Sequence, residues 1–444
     1  MDSQSSEILE KIRQQFETAP YPRTPLEKSP LGDAKFLNIH NIVNPYYLRN
    51  QKVIGTQGKV ILDAGCGSGY KALALAAANP GAKIIGIDIS EESVKLAHHR
   101  LQYHGFENAE FYTLTIENLP SLGIQFDYIN NDEVLYLLPD PVAGLQAMKS
   151  ALKPDGIIRT NLHSALQRSN YYRAQKFFQI MGFMDDNPQQ LEIELVRETM
   201  HSLKDSTHLK VQAWHPEFER NDERLLANLL LQGDKGYTIP EVFSALRAAD
   251  LEFISMVNWR YWDLMDLFKE PDNLPAFLAI SLPGLSVEEQ LHLFELLHPV
   301  HRLIDFWCGH PNSADPFVPV NQWTLADWQT AKVSLHPQLR TPRFTEDMLF
   351  SIINQRPLEI SQHLPITKDP IFLIDSAIAT SLLPLLDGPQ MMMSLVERCK
   401  QLRPIHPVTL NPVDEATAWS TLIEPLTSLE EIGYILLERS PDKA

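Results

Sequence analysis

Cysteine is scarce in this chain: Cys66, Cys308 and Cys399 are the only three in 444 residues, far apart and odd in number. They offer no disulfide framework and suggest a reducing compartment. No Cys-x-x-Cys or His-Glu-x-x-His pattern is present, so no metal centre is expected, although His298, His301, Cys308 and His310 are near neighbours in sequence. Positive charge is also short. The 38 Lys and Arg stand against 56 Asp and Glu, a formal net charge of −18. Such a surface repels polyanions, and no basic run interleaved with aromatics offers a local exception, so nucleic acid is not expected as a partner. Long apolar runs are missing too: the stretch 371–386 carries Asp375 and Pro384 and is too short to span a bilayer. The polar start, Met1-Asp2-Ser3-Gln4, is unlike a secretory leader. A cytoplasmic protein without membrane association is therefore expected, and neither internal repeats nor low-complexity tracts suggest otherwise.

What remains is ordinary globular material, 44% hydrophobic and 21% charged, in a chain long enough for about two or three domains. The 32 prolines, many of them late in the chain, predict a second half less regular than the first. Between residues 59 and 162, short apolar runs alternate with amphipathic ones. Strands are predicted at 59–63, 83–87, 109–113, 126–131 and 156–162, with crossover helices between most of them. One helix should start after Ser90 as N-cap, carry Glu91 and Glu92 in its first turn, bury Val94, Ala97 and Leu101, and stop at Gly105. The fold class expected is α/β, a Rossmann-like doubly wound sheet with its ligand at the carboxyl ends of the strands.

Around this sheet the chain reads as four segments. Residues 1–50 hold an amphipathic helix at 7–16 and a stiff aromatic segment, Ala19-Pro20-Tyr21-Pro22-Arg23, suited to cover the mouth of the sheet. Residues 51–260 form the sheet domain, closing with the alternating run 251–257. Residues 261–343 read as a helical or linking region, and 344–444 as a small last domain. Met391-Met392-Met393 reads as core or adaptable interface rather than a metal site.

The chemistry sits in Asp63-Ala64-Gly65-Cys66-Gly67-Ser68-Gly69, directly after a strand and before a helix. Glycines permit positive φ and close backbone approach, and the helix start favours a carboxylate. S-adenosylmethionine (SAM) has that carboxylate, with an ammonium and a sulfonium that Asp63 at the strand end can offset. A dinucleotide site spaces its glycines G-x-G-x-x-G to wrap a pyrophosphate. Here the spacing is G-x-G-x-G. Asp88 ends the second strand, where a carboxylate can accept both hydrogen bonds of a ribose diol. Ile89 and Ile116 can sandwich an adenine, with Glu117 beside it, and Asn131 at the end of the fourth strand completes the expected cofactor set.

With Phe126-Asp127 before the fourth strand and Leu152-Lys153-Pro154-Asp155-Gly156 before the fifth, residues 59–162 resemble the class I SAM-dependent methyltransferases. That resemblance implies a seven-stranded sheet with an antiparallel last strand, for which residues 251–257 are available, and a mainly helical region after it. Two departures stand out. Thr115 occupies a place where many relatives have Asp, so the adenine amine would fall to backbone or Glu117. The fourth strand ends Asn130-Asn131-Asp132-Glu133 rather than Asn-Pro-Pro-Tyr, which leaves the acceptor atom open.

A proton acceptor, where one is needed, should stand at the ends of strands four and five: Asp132, Tyr136 or His163, with Glu133 nearby and Tyr21 as a lid residue. Residues 282–310, with Leu285-Ser286-Val287-Glu288-Glu289, resemble the region that follows the catalytic domain in bacterial protein lysine methyltransferases. Ser381-Leu382-Leu383-Pro384 is similar to a motif in their last domain. The amino-terminal half also resembles cyanobacterial methyltransferases, including those that methylate an asparagine of the phycobiliprotein phycocyanin. A protein side-chain nitrogen, lysine or asparagine, is the acceptor expected. A small metabolite and a SAM-binding protein without turnover are the alternatives.

Overall fold

The computed structural model describes residues 10, 13, 14, 17 and 21–439, except 316, 369–370 and 406–409. The helix expected at 7–16 falls mostly outside the described residues, as do Ala19 and Pro20. The chain divides into two compact units, one containing Lys59–Leu73 and Ala82–Ser313 with the residues before Ser29, the other Ser29–Gly58, Ala74–Gly81 and Ala314–Ala444.

The first unit is built on a parallel-dominated sheet. Its strands are β1 (Val60–Ala64), β2 (Lys83–Asp88), β3 (Ala109–Thr113), β4 (Phe126–Asn131), β5 (Leu152–Ser164), β6 (Gly236–Tyr237), β7 (Glu252–Met256) and β8 (Leu303–Gly309). They lie in the order β3-β2-β1-β4-β5-β8-β7, with β6 paired in parallel to β5. The order reverses between β1 and β4, the place where open α/β sheets bind ligands. The five parallel strands and the helix Glu91–Tyr103, capped by Ser90, fall where the apolar runs predict them.

The Leu-Lys-Pro-Asp-Gly stretch expected before the fifth strand is the first part of β5 itself, and its place has a physical reason. Lys153 places Nζ 2.7 Å from Asp127, which also takes Lys59 Nζ at 2.9 Å and the Val60 N–H at 2.9 Å. The Phe-Asp and Leu-Lys-Pro-Asp-Gly motifs thus pin the amino ends of β1, β4 and β5 together.

The antiparallel strand is not where it was expected. Residues 251–257 do contain a strand, β7, but it pairs only with β8, and β8 is the strand that runs antiparallel to β5. β8 lies inside the stretch predicted to be helical, and the sheet continues past residue 260, where the domain was expected to close. Arg159 on β5 makes a two-pronged bond to Asp305 on β8, 3.1 and 2.7 Å, while Ile304, Phe306 and Cys308 join the main core with Leu62, Ile129 and Ile158. A seven-residue run, apolar but for Asp305, does not separate strand from helix by periodicity, and the part-buried ion pair that chooses strand is 146 residues apart in sequence.

Between β5 and β6 four helices are inserted, Ser169–Ile180, Gln190–Ser202, His208–Ala213 and Asp222–Leu229, with a core of their own around Phe178, Val196 and Leu225.

The second unit gathers residues that the sequence reading had separated. Ala331–Leu335 lies between Gln390–Met391 and Ile435–Arg439 in a small antiparallel sheet, backed by Pro342–Ile353, Met392–Leu402 and Glu415–Ile432. Tyr47, on the helix Val43–Asn50, accepts the Leu437 N–H at 2.9 Å and donates to Glu430 at 2.7 Å. Residues 29–58 therefore fold with the chain's far end, and a cut at 344 would sever a sheet. Met392 is core, whereas Met391 and Met393 are exposed. Among the described residues no helix is long and apolar enough to cross a membrane.

Phe306 is 1% exposed in the middle of β8. Phe306→Ala is expected to cost about 3–5 kcal/mol, read as an earlier first transition in urea unfolding, with an unchanged transition arguing against β8 as a core strand.

Candidate functional site

The glycine loop between β1 and the helix Tyr70–Ala78 is held open from behind. Gly65 and Cys66 donate N–H to Ile87 O at 2.8 and 2.9 Å, Gly67 donates to Asp88 Oδ2 at 2.9 Å, and Gly69 donates to Cys66 O at 2.9 Å. Ser68 N–H goes to Tyr21 O, also at 2.9 Å. The loop amides are thus already committed, and its close-approach surface consists of carbonyls and bare Cα atoms. Gly67 has φ +47°, and a Cβ there would stand 2.1 Å from Tyr21 O; Gly69 has φ +79°, and its Cβ would stand 2.5 Å from Ala97 Cα. Both positions require glycine for conformation and for space.

The segment beginning at Tyr21 runs across this loop, as its stiffness suggested, and the anchor is one that the sequence reading missed. Arg100, buried on the helix Glu91–Tyr103, donates to Ser68 O (2.8 Å), Thr24 O (2.7 Å) and Pro25 O (2.8 Å). His104 adds a contact to Leu26 O at 2.8 Å. Arg100 has helical spacing from Ala97 and passes as a surface charge until its carbonyl partners are seen.

Together these elements bound a cleft of about 100 Å³ at the carboxyl ends of β1, β2 and β4. Gly65, Cys66, Gly67, Asp88, Ile89, Ile116 and Glu117 all line it, so most of the predicted cofactor set converges. Gly69 does not line it and packs on Ala97. Asp63 lies at the end of β1 with Oδ1 accepting from Asn130 Nδ2 at 2.8 Å and Oδ2 buried without a partner. Burial pushes its pKa up to about 6, the Asn130 hydrogen bond opposing. Asp88 accepts the Gly67 and Ser90 N–H groups, both at 2.9 Å; burial raises its pKa, against the pull of those bonds. The Cys66 thiol is pushed well up by burial and by Asp88 and Asp63, so it is no nucleophile.

Three further polar atoms on the wall of the cleft, Ser93 Oγ, Thr115 Oγ1 and Glu117 Oε2, are buried without partners. Unpaired buried polar atoms are rare in native proteins, and these three leave a pattern complementary to a ligand, while Asp63 is buried at the end of β1 and does not line the cleft. An adenine between Ile89 and Ile116 fits Thr115 and Glu117.

Two of the expected residues are also engaged in holding the sheet together, although Asp132 lines the cleft. Asn131 was expected at the cofactor, but its Nδ2 donates to Ala64 O at 3.0 Å and its Oδ1 accepts from Thr160 Oγ1 at 2.8 Å. Both ends are used in joining β1, β4 and β5, and the side chain does not line the cleft. Asp132 was offered as a base, yet it is paired with Lys71 (3.0 Å), Arg159 (3.5 Å) and Asn161 Nδ2 (2.5 Å). A carboxylate so compensated is a poor proton acceptor and a good structural charge.

Glu133, in the left-handed region at φ +62°, pairs with Lys71 at 3.5 Å and with Arg302. Against the cost of burial, those two cations hold its carboxyl below the ordinary range. Lys71 is held above the ordinary lysine range by Asp132 and Glu133, although burial opposes its charge.

A second cavity of about 280 Å³ adjoins the cleft, sharing Tyr21, Glu133 and Leu137 with it and walled by the inserted helices through Ile193, Leu226 and Leu231. Here the other predicted residues meet. Tyr136 stacks on His163 with ring centroids 3.8 Å apart and planes at 20°. His163 Nδ1 is 2.7 Å from Asp234 Oδ1, and Nε2 is 3.1 Å from Arg302 Nη1. Asp234 and Arg302 were not anticipated, because each lies in a loop or strand end with no motif around it.

Residues 56–222 match the Methyltransferase domain family. Over 315 residues the chain is 27% identical to an uncharacterized protein of Synechococcus sp., covering 67% of this chain and 74% of that one. Over 134 residues it is 34% identical to the ubiquinone biosynthesis O-methyltransferase of Actinobacillus pleuropneumoniae, covering 29% of this chain and 56% of that enzyme. The chain therefore spans little more than half the length of that relative. The structure of PKMT2 from Rickettsia typhi aligns with a TM-score of 0.57 over 90% of this chain and 75% of its own, at 16% identity, a likeness of fold. The same Rickettsia protein has been solved in complex with AdoHcy. Residues 56–222 are thus a methyltransferase domain, and the chain's fold is like that of the AdoHcy-binding Rickettsia protein.

Two measurements test the cleft. Gly67→Ala should weaken SAM binding by about tenfold or more, roughly 1.4 kcal/mol, in calorimetry; full affinity in a folded variant would remove the loop from the site. Asp63 is protonated below its pKa of about 6 and offers negative charge to a ligand cation only when ionised. SAM affinity should therefore rise with pH through about 6 and level off above it. Asp63→Asn should flatten that rise.

Proposed function

We propose that the chain is a SAM-dependent methyltransferase that places the methyl group on a nitrogen of a protein side chain, lysine or asparagine. The observation that carries the reading is the position of the second cavity beside the donor cleft. On the same measure it is about 280 Å³ against about 100 Å³ for the donor cleft, so it has room for an inserted side chain. It meets the donor cleft at Tyr21, Glu133 and Leu137, so a chain reaching through it presents its tip where the methyl would be. The second unit holds none of these residues, and we assign it to recognition of the protein acceptor rather than to chemistry. The likeness to PKMT2 over both units supports the same reading.

When bound, SAM supplies an electrophilic methyl on a sulfonium, already a good leaving group, so alignment and a place for the acceptor's proton are what the protein must add. Asp88 would hold the ribose hydroxyls through its remaining lone pairs, and Thr115 and Glu117 the adenine edge. Tyr21 and the segment stapled by Arg100 exclude water from above. Glu133, facing both spaces, orients the acceptor without itself being free to take a proton.

A small-molecule acceptor is the second reading, favoured by the 34% identity to an O-methyltransferase over 134 residues. Incubating the full chain with labelled SAM and lysate separates the two. Label should precipitate with protein; label confined to the small-molecule fraction would transfer the case to a metabolite, and label in neither would count against turnover.

A further inference from the structure

The second cavity ends on a histidine whose two ring nitrogens are both engaged. His163 Nδ1 faces Asp234 Oδ1 at 2.7 Å, and Nε2 faces Arg302 Nη1 at 3.1 Å. An ionised carboxylate can only accept and a guanidinium can only donate. One state of the ring satisfies both: the neutral imidazole with its hydrogen on Nδ1 and its lone pair on Nε2. We propose that His163 and Asp234 form the proton-accepting pair of this enzyme, and that Arg302 is a positioning residue that caps the Nε2 lone pair until an acceptor draws it away.

The parts differ in freedom in the way such a pair requires. Asp234 is fully buried and further held by Arg168 Nη2 and Gln175 Nε2, both at 2.9 Å. Tyr136, stacked on the ring, fixes its plane. Arg302 has a side chain 46% exposed, lines the cavity, and rests its other arm on Glu133. Lys71 also pairs with Glu133, so the carboxylate keeps a counter-charge when Arg302 leaves. Arg302 is the member able to move.

The charged and titratable groups around the ring are Asp234, Arg168, Arg302 and Tyr136. Burial lowers the pKa of His163, Asp234 raises it, and Arg168 and Arg302 lower it. The ring is therefore neutral near pH 7. Resting on the reading of a nitrogen acceptor, the step balances as follows. The nitrogen's lone pair forms the new N–C bond while the C–S bond breaks and its electron pair stays on sulfur. The proton that the nitrogen sheds goes to Nε2, and Asp234 steadies the resulting imidazolium through Nδ1–H, as in other carboxylate–histidine pairs. A carbonyl or carboxylate carried by the acceptor is the partner that would draw Arg302 off.

The test uses the full chain. Long-range nitrogen–proton spectra of protein labelled in histidine should show His163 neutral at pH 7 with its hydrogen on Nδ1. Diethyl pyrocarbonate, which acylates a free imidazole lone pair, should modify His163 about tenfold faster in Arg302→Ala than in the native chain, with Arg302→Lys restoring most of the protection. In the same Arg302→Ala variant the ring's pKa should rise, and the acid limb of the methylation rate in lysate should move to higher pH. Asp234→Asn should lose the Nδ1–H preference; if that variant does not fold, the Arg302 pair carries the test. A hydrogen on Nε2, a cationic ring at pH 7, or unchanged acylation and pH limb in Arg302→Ala would overturn the proposal. If label instead enters only small molecules, the protein reading falls, while the ring state and acylation rates still decide this one.

Discussion

A lysine placed among carboxylates organises the catalytic unit. Lys71, in the first turn of the helix after the glycine loop, reaches Asp132 and Glu133 at the end of β4. Arg159 and Asn161 come to Asp132 from β5, Arg159 continues to Asp305 on β8, and Arg302 just before β8 returns to Glu133. Each of these ions would be expensive to bury alone, and removing one partner from such a set typically costs about 3–5 kcal/mol. The network therefore fixes the loop, three strand ends and the junction of the two cavities relative to one another. It also explains why the strand end carries Asn-Asn-Asp-Glu: the two asparagines and the aspartate hold strands, and the glutamate with positive φ faces the acceptor space.

The donor cleft depends on a second long-range device. Arg100 and the Ser68 amide tie the segment from Tyr21 to Leu26 over the glycine loop, so the roof and the floor of the cleft share hydrogen bonds. Close approach at Gly67 is the price of that arrangement. The loop amides that a reading of glycine spacing would offer to a ligand carboxylate are instead spent inside the protein, and recognition falls to unpaired side-chain atoms on the walls.

Much of this site was legible in advance. The G-x-G-x-G loop, Asp88, Ile89, Ile116 and Glu117 were readable because each lies immediately after a strand whose apolar run is visible, and a strand end projects its next residues into the ligand space. Asn131 and Asp132 obey the same rule, but their partners Thr160, Arg159 and Lys71 lie on other elements and were not legible.

By itself, then, the sequence determined the parallel strands, the glycine loop and the strand-end residues beside it, because period, capping and glycine spacing are local properties. Tertiary structure alone decided that residues 303–309 are a strand between β5 and β7, that residues 29–58 fold with the chain's far end, and that His163 meets Asp234 and Arg302. These outcomes rest on ion pairs and hydrogen bonds between groups up to 390 residues apart, whose energy depends on burial and geometry that no local window contains.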